Sequence, residues 1–297
     1  MSREIDQSPP SSSRPPAEWQ EAPPRRLDPR RLYPALVFIP LFFALVQYLP
    51  PMAFVVFVCL AASFALWEFY TVYFGGHVPR SLLAFGLLGL ATLFVMTDRA
   101  LAEPLLAGCF LLTVATLLGF LINPAYFKDA LPRSLASVLG ICYIGGCLAH
   151  LVLIRQLPAG PELVFFVIVT TWLADTGAYY VGVLAGRTPL APWISPRKTV
   201  EGLFGGMLAA VAAALLCIIW FVPELTLLDG LLLGLVLTIV GLMGDLAESV
   251  FKRLSGVKDS SGLIPGHGGV LDRLDSLLLT APSFYYYVVL VKHSPAL

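Results

Sequence analysis

Long apolar runs, cut only by proline, glycine and small charged clusters, restrict the fold of this chain more than any other feature. They cover about 34–49, 51–73, 81–97, 103–122, 134–154, 162–185, 203–221, 227–247 and 274–292. A helix needs about 20 apolar residues to cross the hydrocarbon core of a bilayer, so the pattern predicts about nine transmembrane helices. Of the 297 residues 58% are hydrophobic and 13% charged, whereas about a quarter of an ordinary soluble domain is charged. A soluble core and a disordered chain are excluded on that ground. A β-barrel is excluded because its strands would alternate with a period of two. The expected fold class is therefore all-α, a polytopic membrane helical bundle. The first pair of runs is separated only by Pro50-Pro51, and Pro40 is placed to kink the first.

Residues 1–31 differ in kind. Pro, Ser, Arg and Glu dominate them, as in Ser8–Pro16 (SPPSSSRPP), and such a segment buries too little apolar surface to order itself. It reads as a disordered tail ahead of a membrane domain over 32–297. No short apolar stretch with a small-residue cleavage site follows closely, so the tail does not read as a signal peptide. The five cysteines, Cys59, Cys109, Cys142, Cys147 and Cys217, are odd in number and scattered through apolar runs. They read as small packing residues.

Nineteen Lys and Arg balance nineteen Asp and Glu, which gives no basic surface for a nucleic-acid partner. Position is more informative than the sum. Walking the cations through alternating loops places sixteen on the side of the tail. Six lie in the tail itself, and the rest are Arg80, Lys128, Arg133, Arg187, Arg197, Lys198, Lys252, Arg253, Lys258 and Arg273. Arg99, Arg155 and Lys292 fall on the other side. By the positive-inside rule the N-terminus and the long loops are cytoplasmic, and the asymmetry supports nine spans because one missed helix would scramble it. The small-xxx-small pairs Gly182/Gly186, Gly202/Gly206 and Gly230/Gly234 fit close helix packing within the bundle, with a dimer face as the alternative.

Ionisable residues within spans are costly and mark functional candidates. Glu68, beside Trp67 and Tyr70 near the cytoplasmic interface, reads as structural or snorkelled. Asp175 lies mid-span among Thr170, Thr171, Thr176, Tyr179 and Tyr180. Either a hydrogen-bond network or a substrate or ion site accounts for it. The densest cluster is Gly244–Ser276. Asp245, Glu248 and Ser249 share one helix face, and Asp272 and Asp275 are a turn apart where the last helix begins. Two helix ends thus offer hard oxygen ligands suited to Mg²⁺, although N-capping alone would explain Asp272. Lys252, Arg253, Lys258 and Arg273 accompany them, and cations around a divalent ion are what a polyphosphate requires. A second cation, such as K⁺, is compatible with the same set.

Between the carboxylate pairs lies Pro265–Gly269, PGHGG, where Gly268 and Gly269 can bring backbone N–H groups close to a phosphate. His267 is placed to contact a phosphate, relay a proton or cap. A second polar loop, Ile194–Gly202, carries Ser195, Arg197, Lys198, Thr199 and Glu201. It reads either as a positive-inside anchor with a turn at Ser195-Pro196, or as a binding loop for a nucleotide or lipid phosphate.

At these residues a resemblance enters. Ser249-x-Phe251-Lys252-Arg253-x4-Lys258-Asp259-x-Ser261-x2-Ile264-Pro265-x-His267-Gly268-Gly269-Val270-x-Asp272-Arg273-Leu274-Asp275 resembles the complete signature of the phosphatidate cytidylyltransferases, or CDP-diacylglycerol synthases. Asp175-Thr176-x-Ala178-Tyr179 and Ser195-Pro196-Arg197-Lys198-Thr199-x-Glu201-Gly202 resemble the family's other polar motifs, with Arg197 where Lys is common. The likeness covers about 32–292, with the catalytic part over 162–292. It implies that CTP and phosphatidic acid in the bilayer give CDP-diacylglycerol and pyrophosphate with Mg²⁺, in a bacterial-type inner membrane with the site facing the cytoplasm. Asp245 and Asp272 would hold metal, with Asp275 supporting or sharing it. Lys252, Arg253, Lys258 and Arg273 would engage triphosphate or lipid phosphate, and Asp259 would orient a cation or a ribose hydroxyl. Asp175, Ser195, Lys198, Thr199, Ser249, His267, Gly268 and Gly269 would complete substrate binding. A homodimer is compatible with the resemblance.

Two other classes fit parts of the pattern. A membrane kinase or phosphotransferase on another lipid alcohol is permitted by the charged loops, but the C-terminal signature argues against it. A transporter is permitted by Asp175 and the broken helices; it should show related halves and midplane ionisable groups, whereas here the polar residues crowd one face.

Overall fold

The computed structural model describes residues 32–98, 135–257, 260–261 and 268–292, with side chains from residue 39 onward. The tail, the run 103–122, Cys109, Lys258, Asp259 and His267 lie outside the described residues. The elements in chain order are α1 (Leu32–Gln47), α2 (Pro51–Tyr73), α3 (Arg80–Asp98), α4 (Leu135–Gln156), α5 (Gly160–Ala185), β1 (Pro189–Ala191), β2 (Ser195–Thr199), α6 (Val200–Trp220), α7 (Leu227–Leu254) and α8 (Leu271–Tyr287). A π turn over Ile141–Gly146 interrupts α4, and another, Val288–Lys292, extends α8.

Among the described residues seven helices, α2 to α8, are long and apolar enough to span a membrane. Helix α1 has 16 residues and falls short of that length. The outward faces carry Leu88, Val95, Leu184, Leu208, Leu216 and Ile219, all more than half exposed, an apolar surface suited to lipid. The protein is an integral membrane protein.

Proline and capping chemistry set the helix ends. Pro51 opens α2, where its missing N–H is not needed. Thr199 caps α6 by accepting from Gly202 N at 3.1 Å. Thr226 and Asp229 form a reciprocal capping box at the start of α7. That helix runs seven residues beyond the apolar stretch, to Leu254. Asp245, Glu248, Ser249, Lys252 and Arg253 are therefore helical, with the last two placed favourably against the helix dipole.

All three glycine pairs are spent inside the bundle. A Cβ on Gly202 would lie 2.8 Å from the Ala178 carbonyl oxygen of α5, and one on Gly234 would lie 2.7 Å from Val211 Cα of α6. Helices α5, α6 and α7 approach backbone to backbone as a result. Hydroxyl and aromatic contacts join the halves of the bundle. Tyr70 of α2 meets Ser137 of α4 at 3.0 Å, Thr171 of α5 donates to Thr280 of α8 at 3.2 Å, and Phe69 of α2 stacks on Phe251 of α7 at 4.4 Å. The described cysteines, Cys59, Cys142, Cys147 and Cys217, are free thiols, as expected for packing residues.

The segment read as a loop with a turn at Ser195-Pro196 is instead an antiparallel hairpin. Pro189 pairs with Thr199 and Ala191 with Ser195, so the turn falls at 192–194 and Ser195 opens a strand. The cause is Glu201, in the first turn of α6. Its carboxylate accepts from Arg187 N at 3.1 Å, Thr188 N at 3.1 Å and the Thr188 hydroxyl at 2.9 Å, folding the incoming chain back on β2.

Candidate active site

Four helix ends and a hairpin meet at one end of the bundle. The C-terminal ends of α5 and α7, the N-terminal ends of α6 and α8, and the β hairpin enclose a cavity of about 630 Å³, within the range of small-ligand sites, about 300–1,000 Å³. Asp175, Lys198, Thr199, Asp245, Asp272, Arg273, Asp275 and Arg197 line it, alongside apolar Val183, Leu190, Leu203 and Leu242. The hairpin and the start of α8, far apart in sequence, thus contribute to one chamber that is charged on some walls and apolar on others.

Asp245 forms an ion pair with Lys198 at 2.5 Å and accepts from Ser249 Oγ at 3.4 Å. Helices α7 and α8 touch closely beside it. A Cβ on Gly244 would collide with the Asp275 carbonyl oxygen, and this approach places Asp245 and Asp275 on adjoining walls. Asp275 accepts from Ser276 N at 2.7 Å. Asp175 faces the cavity and takes no partner from the Thr171 and Thr176 hydroxyls of its own helix. It accepts instead from Ser276 Oγ of α8 at 3.4 Å, while Thr171 reaches Thr280 and Thr176 turns back to the Trp172 carbonyl. Helical geometry aims those threonines at i−4 carbonyls or neighbouring helices.

Asp272 is the most heavily engaged of the cavity aspartates. Lys252 donates to its Oδ1 at 2.6 Å and Gly269 N to its Oδ2 at 2.8 Å, with Ser260 N at 3.3 Å. Lys252 also pairs with the buried Glu248 at 3.2 Å, so it bridges α7 to the first turn of α8. Lys252, Arg253, Ser195 and Ser249 do not line the cavity; Ser249 reaches it through Asp245 and Lys252 through Asp272. The glycines read as a phosphate cradle also serve packing. Gly268 has φ +81°, and a Cβ on Gly269 would collide with Ser260 Oγ and lie 2.5 Å from Glu68 Oε2.

Glu68 is the residue whose engagement sequence reasoning missed. It is fully buried and accepts from Ser260 Oγ at 3.1 Å, Ser261 Oγ at 2.6 Å, Val270 N at 3.0 Å and Leu271 N at 2.7 Å. Bonds to a charged group contribute roughly 1.5–3 kcal/mol each, so four offset a burial cost of several kcal/mol. The available signal was α8 itself: Val270 has no side chain able to cap it, so the acceptor for its first N–H groups had to come from elsewhere.

Among the described residues no three His, Cys, Asp or Glu side chains converge as a ready metal site. The donor set still fits Mg²⁺, which takes one or two carboxylates and completes its shell with phosphate oxygens and water. Asp245 and Asp275 supply two such carboxylates at the cavity wall.

The model of the cytidylyltransferase family matches residues 29–291. Among curated relatives, a phosphatidate cytidylyltransferase of Pseudomonas aeruginosa is 36% identical over 263 residues, covering 86% of this chain and 94% of the relative. One from Bacillus subtilis is 43% identical over 155 residues, 51% of this chain and 57% of the relative. One from Synechocystis is 48% identical over 140 residues, 46% of each. In the latter two the match spans about half the relative's length.

Proposed function

The chain belongs to the cytidylyltransferase family, and from that premise we propose that it transfers a cytidylyl group from CTP to phosphatidic acid, giving CDP-diacylglycerol and pyrophosphate. A phosphate oxygen of the lipid forms a bond to the α-phosphorus of CTP while the bond to the bridging α–β oxygen breaks and pyrophosphate leaves. Such a displacement requires alignment and charge neutralisation more than a protein nucleophile. The observation that carries this reading is the single cavity in which Asp245, Asp275, Asp175, Lys198 and Arg273 face apolar residues of α5, α6 and α7.

Asp245 and Asp275 are the residues that would hold Mg²⁺, and Asp272, kept in place by Lys252, would join them through a remaining carboxylate lone pair. When bound, the metal would neutralise phosphate charge and so favour departure of pyrophosphate. Lys198, Arg197 and Arg273 bind phosphate oxygens from the cavity wall. Lys198, beside Asp175 on the hairpin side, takes the lipid headgroup while the acyl chains remain in the bilayer. Lys252 holds Asp272 in place from behind.

The orientation we propose has nine spans, a cytoplasmic N-terminus and the cavity facing the cytoplasm, in a bacterial-type inner membrane. Sixteen of nineteen cations fall on that side under this count. The described ends support it: Gln156 at the end of α4 donates to the carbonyls of Thr97 and Asp98 at the end of α3, so those helices run parallel. The nine-span count makes α3 the third span and α4 the fifth, which gives the two helices the same direction. A homodimer is carried by the resemblance alone, since the glycine pairs face neighbours within the bundle.

The test is the position of the label. Purified protein in detergent with phosphatidic acid and Mg²⁺ should move phosphorus from α-labelled CTP into chloroform-soluble lipid and leave the γ-label in pyrophosphate. Transfer of the γ-label to lipid would establish a phosphotransferase instead, and no labelled lipid from either would sink both enzyme readings.

A further inference from the structure

We propose that Glu68 of α2 is a positioning residue for the transfer reaction, one that fixes where α8 presents Asp272, Asp275 and Ser276 to the cavity. The inference rests on the cytidylyltransferase reading for its kinetic part. Helix α2 belongs to the N-terminal half of the chain, contributes no residue to the cavity wall and lies outside the 162–292 stretch that carries the signature.

Three features make it more than a stabilising cap. First, the carboxylate holds both sides of the signature loop at once. Ser260 and Ser261 lie on the incoming side, and Val270 N and Leu271 N open α8 on the outgoing side. Second, Glu68 is itself fixed. The adjacent Phe69 stacks on Phe251 of α7 with ring centroids 4.4 Å apart and planes within 9°, which ties the clasp to the helix that bears Asp245, Glu248 and Lys252. Third, there is no slack around it, because no Cβ fits at Gly269 between Ser260 Oγ and Glu68 Oε2.

Helix geometry turns that clasp into control of the site. Each residue of an α-helix advances about 1.5 Å and turns about 100°, so a one-residue slip of α8 would carry Asp275 off the wall it shares with Asp245. Asp272 fixes the same turn from within, through Gly269 N and Lys252. Glu68 supplies the external reference. A plain cap would stabilise α8 and leave the rate per folded molecule unchanged; a positioning residue must alter that rate.

The experiment compares Glu68→Gln, Ser261→Ala and the double variant with the wild-type full chain. Folded protein is quantified by thermal melting, and the readouts are kcat, the two KM values and amide exchange. Glu68→Gln keeps one acceptor oxygen and turns an NH₂ toward the donors. It should lower kcat per folded molecule at least about tenfold, as small misplacements of reacting groups do, and move either KM less than about threefold. Exchange at Val270 and Leu271 should quicken while that of α6 stays as in the wild type. Ser261→Ala should lower kcat by a smaller factor and add nothing in the Glu68→Gln background. Wild-type kcat in Glu68→Gln, or independent effects of the two substitutions, would overturn the proposal. If Glu68→Gln does not fold, Ser261→Ala decides by the same readouts, and unchanged kcat and exchange would overturn it. If the wild type makes no CDP-lipid, the reaction fails on its own, while exchange at Val270 and Leu271 still decides the clasp.

Discussion

Helices α7 and α8 run side by side, and each of their two shared ends holds acidic residues in a different state. At the end away from the cavity, Asp229 is closed in. It accepts from Thr226 N at 2.6 Å, Thr226 Oγ1 at 2.7 Å and Tyr287 OH at 2.6 Å, and pairs with Lys292 at 2.6 Å. At the other end Asp175 accepts a 3.4 Å bond from Ser276, and Asp245 pairs with Lys198 at the edge of a 630 Å³ chamber. The helices and the side-chain chemistry are alike, and what separates Asp229 from Asp175 and Asp245 is how completely the neighbours satisfy the carboxylate. Buried polar groups with full partners add rigidity; loosely held ones facing a cavity are where a ligand supplies what the protein withholds.

Substitutions can break or sharpen that contrast. The largest effect is expected from Asp245→Asn, which should lower turnover roughly thousandfold while the melting temperature of the purified protein stays near that of wild type; retained activity would remove Asp245 from the machinery. Asp272→Asn should also abolish turnover, and because it loosens Lys252 and Gly269 it should lower the melting temperature as well, which distinguishes it from Asp245→Asn in one thermal scan. Lys198→Ala removes a charge-assisted contact and should raise the KM for phosphatidic acid roughly tenfold. A rise confined to the KM for CTP would assign the hairpin to the nucleotide. Asp229→Asn should cost about 2 kcal/mol of stability and leave the rate per folded molecule unchanged.

Much of this was legible in the chain before its structure. The apolar runs mark α2 to α8 because hydrocarbon tolerates little but continuous helix; Asp175 and Asp245 were picked out by their cost in such a setting, Asp272 and Asp275 by their spacing at a helix start, and Lys198 by its place in a polar loop. What escaped is long-range. Nothing local to Glu68 shows that Ser260, Ser261, Val270 and Leu271, some 200 residues on, donate to it. Asp175 finds Ser276 across helices, in preference to the hydroxyls beside it in sequence. The β hairpin depends on Glu201 reaching back to Arg187 and Thr188, a contact that the Ser195-Pro196 turn signal concealed. Helix α7 outran its apolar stretch because charged residues at a helix end are compatible with helix once they find partners, as Lys252 does in Glu248 and Asp272.

The most direct measurement places Asp245→Asn and Asp229→Asn in one assay of label transfer from α-labelled CTP to phosphatidic acid, with rates divided by the folded protein in each sample. The account predicts opposite outcomes, a near-silent Asp245→Asn with wild-type melting and a less stable Asp229→Asn with wild-type turnover. Equal rates in the two variants, or loss of activity confined to Asp229→Asn, would contradict it.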